Sequence, residues 1–395
     1  MTKPLLERTE IIGLLGLITA LTAVATDIVI PAIGVIAQDL GASDARAGLL
    51  VGAYMLAFAV GQLFCGLASD AYGRRPVLLV CFGGFTLVSL ACAVAQSFEA
   101  LVFFRFLQGL FGAGSALARA IVRDVSSGTS AARSIGLMST ILTIATIIAP
   151  LLGSAFVAFL GWRAIFVALA MMTAGFYIAT LRMLPETGTR RPERLSFSYV
   201  GYASKFLFSK RDFVIPVLTG AFIFAAYIAL ISNAPVAMAA VFGVVPEAVG
   251  GLLAIIASVN VCGVLLARRL LNTRSPRAII RGATGLACIA ALGTSAMIAY
   301  PPSLPVFWAG MCLYALAFGL IFPTSQAAAL EPAGEMPGFA ASIMGSIQMS
   351  FGFLGSVFVS GIFDGSLGAI FVSLWVFSAL AALTLLTAIF ARSSP

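Results

Sequence analysis

Twelve long apolar runs follow one another along this 395-residue chain, separated by short polar breaks. They cover approximately residues 11–35, 46–68, 76–96, 100–121, 134–159, 163–184, 213–236, 248–270, 278–300, 304–327, 337–362 and 367–391. Each approaches or exceeds the roughly 20 residues a helix needs to cross a bilayer core. Lipid offers no water to an unpaired N–H or C=O, so each run must satisfy its own backbone as a helix. Composition removes the soluble alternative. With 61% apolar and 10% charged residues, the chain lacks the polar side chains that cover a water-soluble domain. Its net charge of +8 is too thinly spread for a nucleic-acid groove. The first run is not read as a cleaved signal peptide. Glu7 and Glu10 disturb a basic leader, and Asp27 and Pro31 interrupt the apolar stretch.

The same composition excludes several chemistries. There is no histidine, which removes His-based metal and haem sites and Ser-His-Asp catalysis. The six cysteines lie in or beside apolar runs without a CxxC pair, and read as small buried hydrophobes rather than metal ligands. None of the three lysines, Lys3, Lys205 and Lys210, stands in a P-loop pattern. The expectation is therefore a chain that is not an enzyme and holds no metal or cofactor.

One break is longer than the rest. Residues 185–212 hold Arg190, Arg191, Arg194, Lys205, Lys210 and Arg211 and divide the runs six and six. This predicts an N-terminal six-helix bundle over 1–184, a linker over 185–212 and a C-terminal six-helix bundle over 213–395. With the N-terminus inside, every Lys and Arg falls on the cytoplasmic side except Arg46, Arg163 and Arg105. The positive-inside rule thus places both termini in the cytoplasm. A basic loop follows the second helix of each half, at Asp70–Arg75 and at Arg268–Arg277. Such internal repeats are the architecture of many secondary transporters, with substrate bound near mid-membrane between them.

Asp27 is the one acid deep in a run and Arg105 the one deep base. A charge inside a membrane is costly unless it is paired or functional. Asp27 lies roughly 24 Å from the inner end of its helix, and Arg105 roughly 8 Å from the outer end of its own. The two therefore share a depth at which contact is allowed. A carboxylate whose surroundings alternate between wet and dry, paired and unpaired, is a proton carrier; the alternative is that Asp27 caps a helix break at Pro31. Arg105 is expected either to switch with Asp27 or to bond helix carbonyls as a static partner. Gln108 lies one turn on, and Gly109 and Gly112 keep that helix face thin.

Between the second and third runs the chain reads Gly61-Gln62-Leu63-Phe64-Cys65-Gly66-Leu67-Ala68-Ser69-Asp70-Ala71-Tyr72-Gly73-Arg74-Arg75-Pro76. This string resembles the signature loop of the major facilitator superfamily. The wider chain is similar to that superfamily's drug:proton antiporters, most closely the bicyclomycin/chloramphenicol-resistance (Bcr/CflA) group. The likeness rests on Asp27-x-x-x-Pro31-Ala32, on Arg105-Phe106-Leu107-Gln108-Gly109 and on Arg119 through Asp124. It continues in Ala149-Pro150-Leu151-Leu152-Gly153, Gly161-Trp162-Arg163 and Gly319-Leu320-Ile321-Phe322-Pro323. The resemblance implies an all-α membrane protein of twelve transmembrane helices in two pseudo-symmetric six-helix bundles. It implies alternating access, with Asp27 protonated in turn with drug binding and Arg105 tuning it. It also implies a cytoplasmic gate of Gly66, Asp70, Gly73, Arg74, Arg75, Arg123 and Asp124, which holds the outward-facing state and releases as the protein opens inward.

Two departures from the family pattern stand out. The helix 5 packing motif is read as Gly136, Ala149, Pro150 and Gly153; Gly136 is kept, but Ala145 and Ala149 stand where glycines are usual and Ser154 follows Gly153. Thr19 occupies a position where some relatives carry a second acid, so one proton site is expected. Polar and aromatic residues inside spans are the cavity candidates: Tyr54, Gln108, Tyr227, Asn233, Asn260, Gln326 and Gln348. The expectation is a monomeric multi-pass protein of the bacterial inner membrane, driven by the proton gradient, that exports small amphipathic compounds, drugs included. The alternative is a dedicated exporter of one native metabolite, such as an amino-acid derivative, a siderophore or a natural product. Its partners are the substrate, protons and the lipid bilayer, with no nucleic acid.

Overall fold

A computed structural model describes residues 9–125, 128–188, 197–295, 297, 301–333 and 337–393. Among these the structure is helical, with twelve helices long and apolar enough to cross a membrane. They are α1 (Glu10–Asp39), α2 (Asp44–Tyr72), α3 (Arg74–Ala93), α4 (Phe98–Val122), α5 (Arg133–Phe159) and α6 (Arg163–Met183), then α7 (Arg211–Phe242), α8 (Pro246–Leu270), α9 (Pro276–Ser295), α10 (Leu304–Ala333), α11 (Gly338–Ile362) and α12 (Gly368–Thr387). A further short helix, Phe197–Phe208, precedes α7 and packs through Leu207 against Phe213, Ala329 and Met344.

Packing follows sequence order in two groups. In the first, α1 packs on α5, α2 on α4, and α3 on α4 and α6; in the second, α7 packs on α10, α11 and α12, α8 on α10, and α9 on α10 and α12. The groups meet along two seams, α2 against α11 and α5 against α8. Among the described residues, several side-chain hydrogen bonds cross these seams at the end away from the basic loops. Ser356 Oγ donates to Gly48 O (2.6 Å), Ser154 Oγ donates to Pro246 O (3.1 Å), and Gly250 N donates to Ser154 Oγ (2.9 Å). Nearer the middle, Ser346 Oγ donates to Ala59 O (2.8 Å).

Small residues set how closely the helices approach. A Cβ on Gly109 would meet the backbone carbonyl of Tyr54, and one on Gly153 would meet that of Ile28. Each glycine lets two helix backbones touch, the usual device where lipid supplies no hydrophobic drive. Ala149 is buried beside Gly153. Gly136 departs from the expected packing role: among the described residues, no other helix has an atom within 4 Å of where its Cβ would be. It stands about 27 Å from Ser154 along α5, far from the point where that helix is bonded to α8.

α1 is the least regular span. Its α-helix runs Thr9–Asp27 and resumes at Ile33–Asp39, with a 3-10 turn over Ile30–Ala32. Pro31 has no N–H to give the Asp27 carbonyl four residues back, so the ladder breaks at Asp27.

Candidate functional site

Asp27 ends the regular part of α1 and is partly exposed. Its carboxylate makes no hydrogen bond or ion pair among the described residues. From the opposite bundle the Tyr227 (α7) side chain comes within electrostatic reach of Asp27, with Asn260 (α8) beside it. Behind Tyr227 stands an aromatic wall. Its ring stacks on Phe318 at 4.2 Å, Phe318 contacts Phe322 at 5.0 Å, and Phe322 contacts Phe224 at 5.4 Å. One turn beyond Phe322, the partly exposed Gln326 donates to Gln348 Oε1 (3.1 Å). The arrangement sets one acid of the first bundle against an aromatic and amide surface of the second.

Arg105 is 0% exposed and does not reach Asp27. Its Nε donates to Leu50 O (3.1 Å), and its Nη1 donates to Ala25 O (3.2 Å) and to Gln108 Oε1 (2.6 Å). The guanidinium lies over the Tyr54 ring, 4.5 Å from its centroid. Gln108 in turn donates to Ser89 Oγ (2.7 Å), which donates to Phe85 O. One buried network thus ties α4 to α1, α2 and α3. Its contact with the Asp27 region is through the backbone, two residues before the carboxylate.

Four cavity candidates need correction. Tyr54, Gln108, Asn233 and Gln348 are each 0–1% exposed and face neighbouring helices rather than a cavity. For Gln108 and Asn233 the reason is polar satisfaction: a buried amide is costly without a partner close by. Gln108 serves Arg105, Asn233 Nδ2 donates to Ala229 O and Ser232 Oγ, and Gln348 accepts from Gln326. Tyr227, Asn260 and Gln326 remain partly exposed.

The loop at the basic end forms one tight corner. Arg74 pairs with Asp70 (2.6 Å) and Asp124 (2.9 Å) and donates to Ser69 Oγ. Arg75 donates to Leu181 O (2.9 Å). Gly73, at φ +104°, makes a turn that other residues avoid. These partners all belong to the first bundle; Gly66 faces the second, with Ser342 Oγ 3.4 Å from where its Cβ would be. The side chain of Arg123 lies outside the described residues, as do Arg190, Arg191 and Arg194.

Sequence reasoning missed Glu186. Its carboxylate accepts from the backbone N–H groups of Arg74 (2.8 Å), Arg75 (3.3 Å), Thr187 (3.0 Å) and Gly188 (3.0 Å). It caps the open N-terminus of α3 and fastens the chain after α6 to the corner. The available signal was an acid directly after the sixth run, in a segment otherwise rich in arginine.

Two helical bundles meeting around a partly exposed acid, with polar groups from both sides, define a membrane transporter rather than an enzyme. Residues 15–359 match the Major Facilitator Superfamily. The chain is 31% identical over 354 residues to the "Uncharacterized MFS-type transporter YdgK" of Bacillus subtilis (strain 168), covering 88% of this chain and 87% of that one. It is 34% identical over 175 residues to "Multidrug resistance protein D" of Escherichia coli (strain K12), covering 44% of each. Among solved structures, a bacterial homolog of the human lysosomal transporter Spinster, in an inward-facing and unoccupied conformation, superposes with a TM-score of 0.76 at 20% identity, over 99% of this chain and 96% of that one. The chain belongs to the Major Facilitator Superfamily.

Proposed function

We propose that this protein is a proton-coupled exporter of small amphipathic compounds, drugs among them, of the bicyclomycin/chloramphenicol-resistance type. The observation that carries this reading is the Asp27 carboxylate. The residue is half-buried, its carboxylate has no ion-pair partner among the described residues, and it lies within electrostatic reach of Tyr227 of the other bundle. An unpaired acid at a bundle interface can take up a proton when the site is empty and release it to the cytoplasmic side when substrate binds. The aromatic wall suits flat apolar substrates, and the similarity to a multidrug resistance protein supports the same cargo class. The distribution of Lys and Arg supports both termini in the cytoplasm of a bacterial inner membrane. On that orientation, the end sealed by Ser154 and Ser356 faces outward. The protein acts as a monomer, and the proton gradient is its energy source.

Inverted membrane vesicles test the proposal. Substrate added to vesicles holding a pH gradient should partly discharge it, and Asp27→Asn should stop the discharge. An Asn variant that still moves substrate uphill would remove Asp27 from the coupling role. A compound panel in an efflux-deficient host tests the cargo. Resistance to several unrelated compounds supports multidrug export, and resistance to none favours a dedicated metabolite exporter.

A further inference from the structure

Two stretches at equivalent places in the two bundles carry the same short pattern. α5 reads Leu152-Gly153-Ser154-Ala155-Phe156-Val157, and α11 reads Leu354-Gly355-Ser356-Val357-Phe358-Val359. The geometry repeats as well. A Cβ on Gly153 would meet the backbone carbonyl of Ile28 in α1, and one on Gly355 would meet that of Ala225 in α7. Each glycine therefore presses its helix onto the first helix of its own bundle. The serine that follows reaches the other way, into the other bundle. Ser154 Oγ donates to Pro246 O and accepts from Gly250 N, both in the first turn of α8. Ser356 Oγ donates to Gly48 O at the start of α2. In both cases the carbonyl is followed four residues later by a glycine that leaves room for the hydroxyl. That glycine is Gly250 for Ser154 and Gly52 for Ser356; a Cβ on Gly52 would stand 3.1 Å from Ser356 Oγ. Ser154 is 5% exposed and Ser356 is 0% exposed, so neither bond is shared with bulk water.

We propose that Ser154 and Ser356 are a symmetry-related pair of clips that hold this end of the transporter shut, and that both bonds break when the bundles part there. Each joins a side chain of one bundle to a helix backbone of the other, one on each seam. Rocking the bundles apart at this end must separate both. A serine suits a joint that has to reopen, because its hydroxyl can turn back to a carbonyl of its own helix once the partner leaves. The glycine before each serine fixes the depth at which the hydroxyl meets its acceptor. The inference rests on alternating access by the two bundles and on nothing about cargo or protons, so it can fail while the export reading stands.

Hydrogen–deuterium exchange of the full chain in lipid nanodiscs tests it. Interhelical bonds of this kind are modest, so losing one clip should raise the population open at this end about threefold, and losing both about eightfold. The readout is residues 31–39 and 235–244, which include the lining of the cleft between α1 and α7 at this end and are not bonded to either serine. In Ser154→Ala/Ser356→Ala these stretches should exchange about eightfold faster, while residues 66–75 at the opposite end become better protected. Ser373→Ala removes a buried hydroxyl bonded only within its own helix and should change neither. Faster exchange confined to 48–52 and 246–250 would mean a local loss only and would overturn the proposal, as would no change. If the double variant exchanges faster everywhere, α3 included, it has unfolded. The single variants, each expected at about threefold, then decide the matter on the same two stretches.

Discussion

The buried network around Arg105 yields a prediction whose size follows from its geometry. Gln108→Leu keeps the side-chain volume close to constant and removes two bonds. One is the 2.6 Å bond from Arg105 Nη1, a charge-assisted contact of the kind that contributes about 1.5–3 kcal/mol. The other is the 2.7 Å bond to Ser89, a neutral interhelical contact that averages about 0.6 kcal/mol in membrane proteins. Gln108 is 0% exposed, so water cannot replace either partner. The expected loss is about 2–3.5 kcal/mol. Unfolding of the purified protein by a denaturing detergent titration measures it. Ser89→Ala should cost only the smaller share, and the double variant should cost no more than about 0.3 kcal/mol beyond Gln108→Leu, because both changes remove the same bond. Transport provides the second readout. With Gln108 gone, the guanidinium is held only by Nη1 to the Ala25 carbonyl, two residues before Asp27, by Nε to Leu50 O and by the Tyr54 ring, so its position beside α1 is less tightly set. Transport should fall, and its pH profile should move. A loss under about 1 kcal/mol, or strict additivity with Ser89→Ala, would refute the claim that this network carries load across α1, α2, α3 and α4.

Further outcomes follow from the other sites. Asp27→Asn should abolish uphill transport in vesicles while downhill exchange of substrate continues; loss of both would mean that the carboxylate serves structure alone. Asp70→Asn and Arg74→Ala should each lower transport with membrane insertion intact, since the Arg74 contacts with Asp70, Asp124 and Ser69 hold the α2–α3 corner; unchanged transport would reduce that corner to a topology signal. Gly73→Ala should destabilise the protein by about 1–3 kcal/mol, since the new side chain must adopt φ +104° and displace the Glu186 carboxylate. Glu186→Gln should cost less, because a neutral amide oxygen can still accept from the same N–H groups; equal losses for the two would show that the charge, and not the turn, governs the corner.

The membrane class was legible from run length alone. Asp27 and Arg105 were legible because a charge inside an apolar run has no ordinary reason to be there. What was not legible was the direction in which each polar side chain points. Tyr54 and Tyr227 sit in equally apolar surroundings in the sequence. Yet Tyr54 lies beneath a buried guanidinium, and Tyr227 faces Asp27 from the other bundle. Gln108 and Gln326 differ in the same way: one is sealed against Arg105 and the other is partly exposed. A helix turns about a quarter of a circle or more with each residue, and the partner comes from a helix far along the chain, so composition says nothing about either.

Glu186 and the two serine clips show the same division. Nothing near Glu186 in the sequence says that the start of α3 lies beside it; only the return of α6 alongside α3 brings its carboxylate to those N–H groups. The Gly-Ser pattern repeats visibly in α5 and α11, but it acquires meaning when each serine is seen to bond the opposite bundle. The sequence by itself determined that this chain lives in a membrane, how many times it can cross, and which two charges stand apart inside it. All three depend on solvent: apolar length and charge cost are properties of a segment and the lipid around it. Only the tertiary structure decided that Arg105 bonds backbone carbonyls instead of Asp27, and that Tyr227 of the other bundle comes near the acid. Those outcomes depend on angle and distance between helices, which packing sets after every segment has already become a helix.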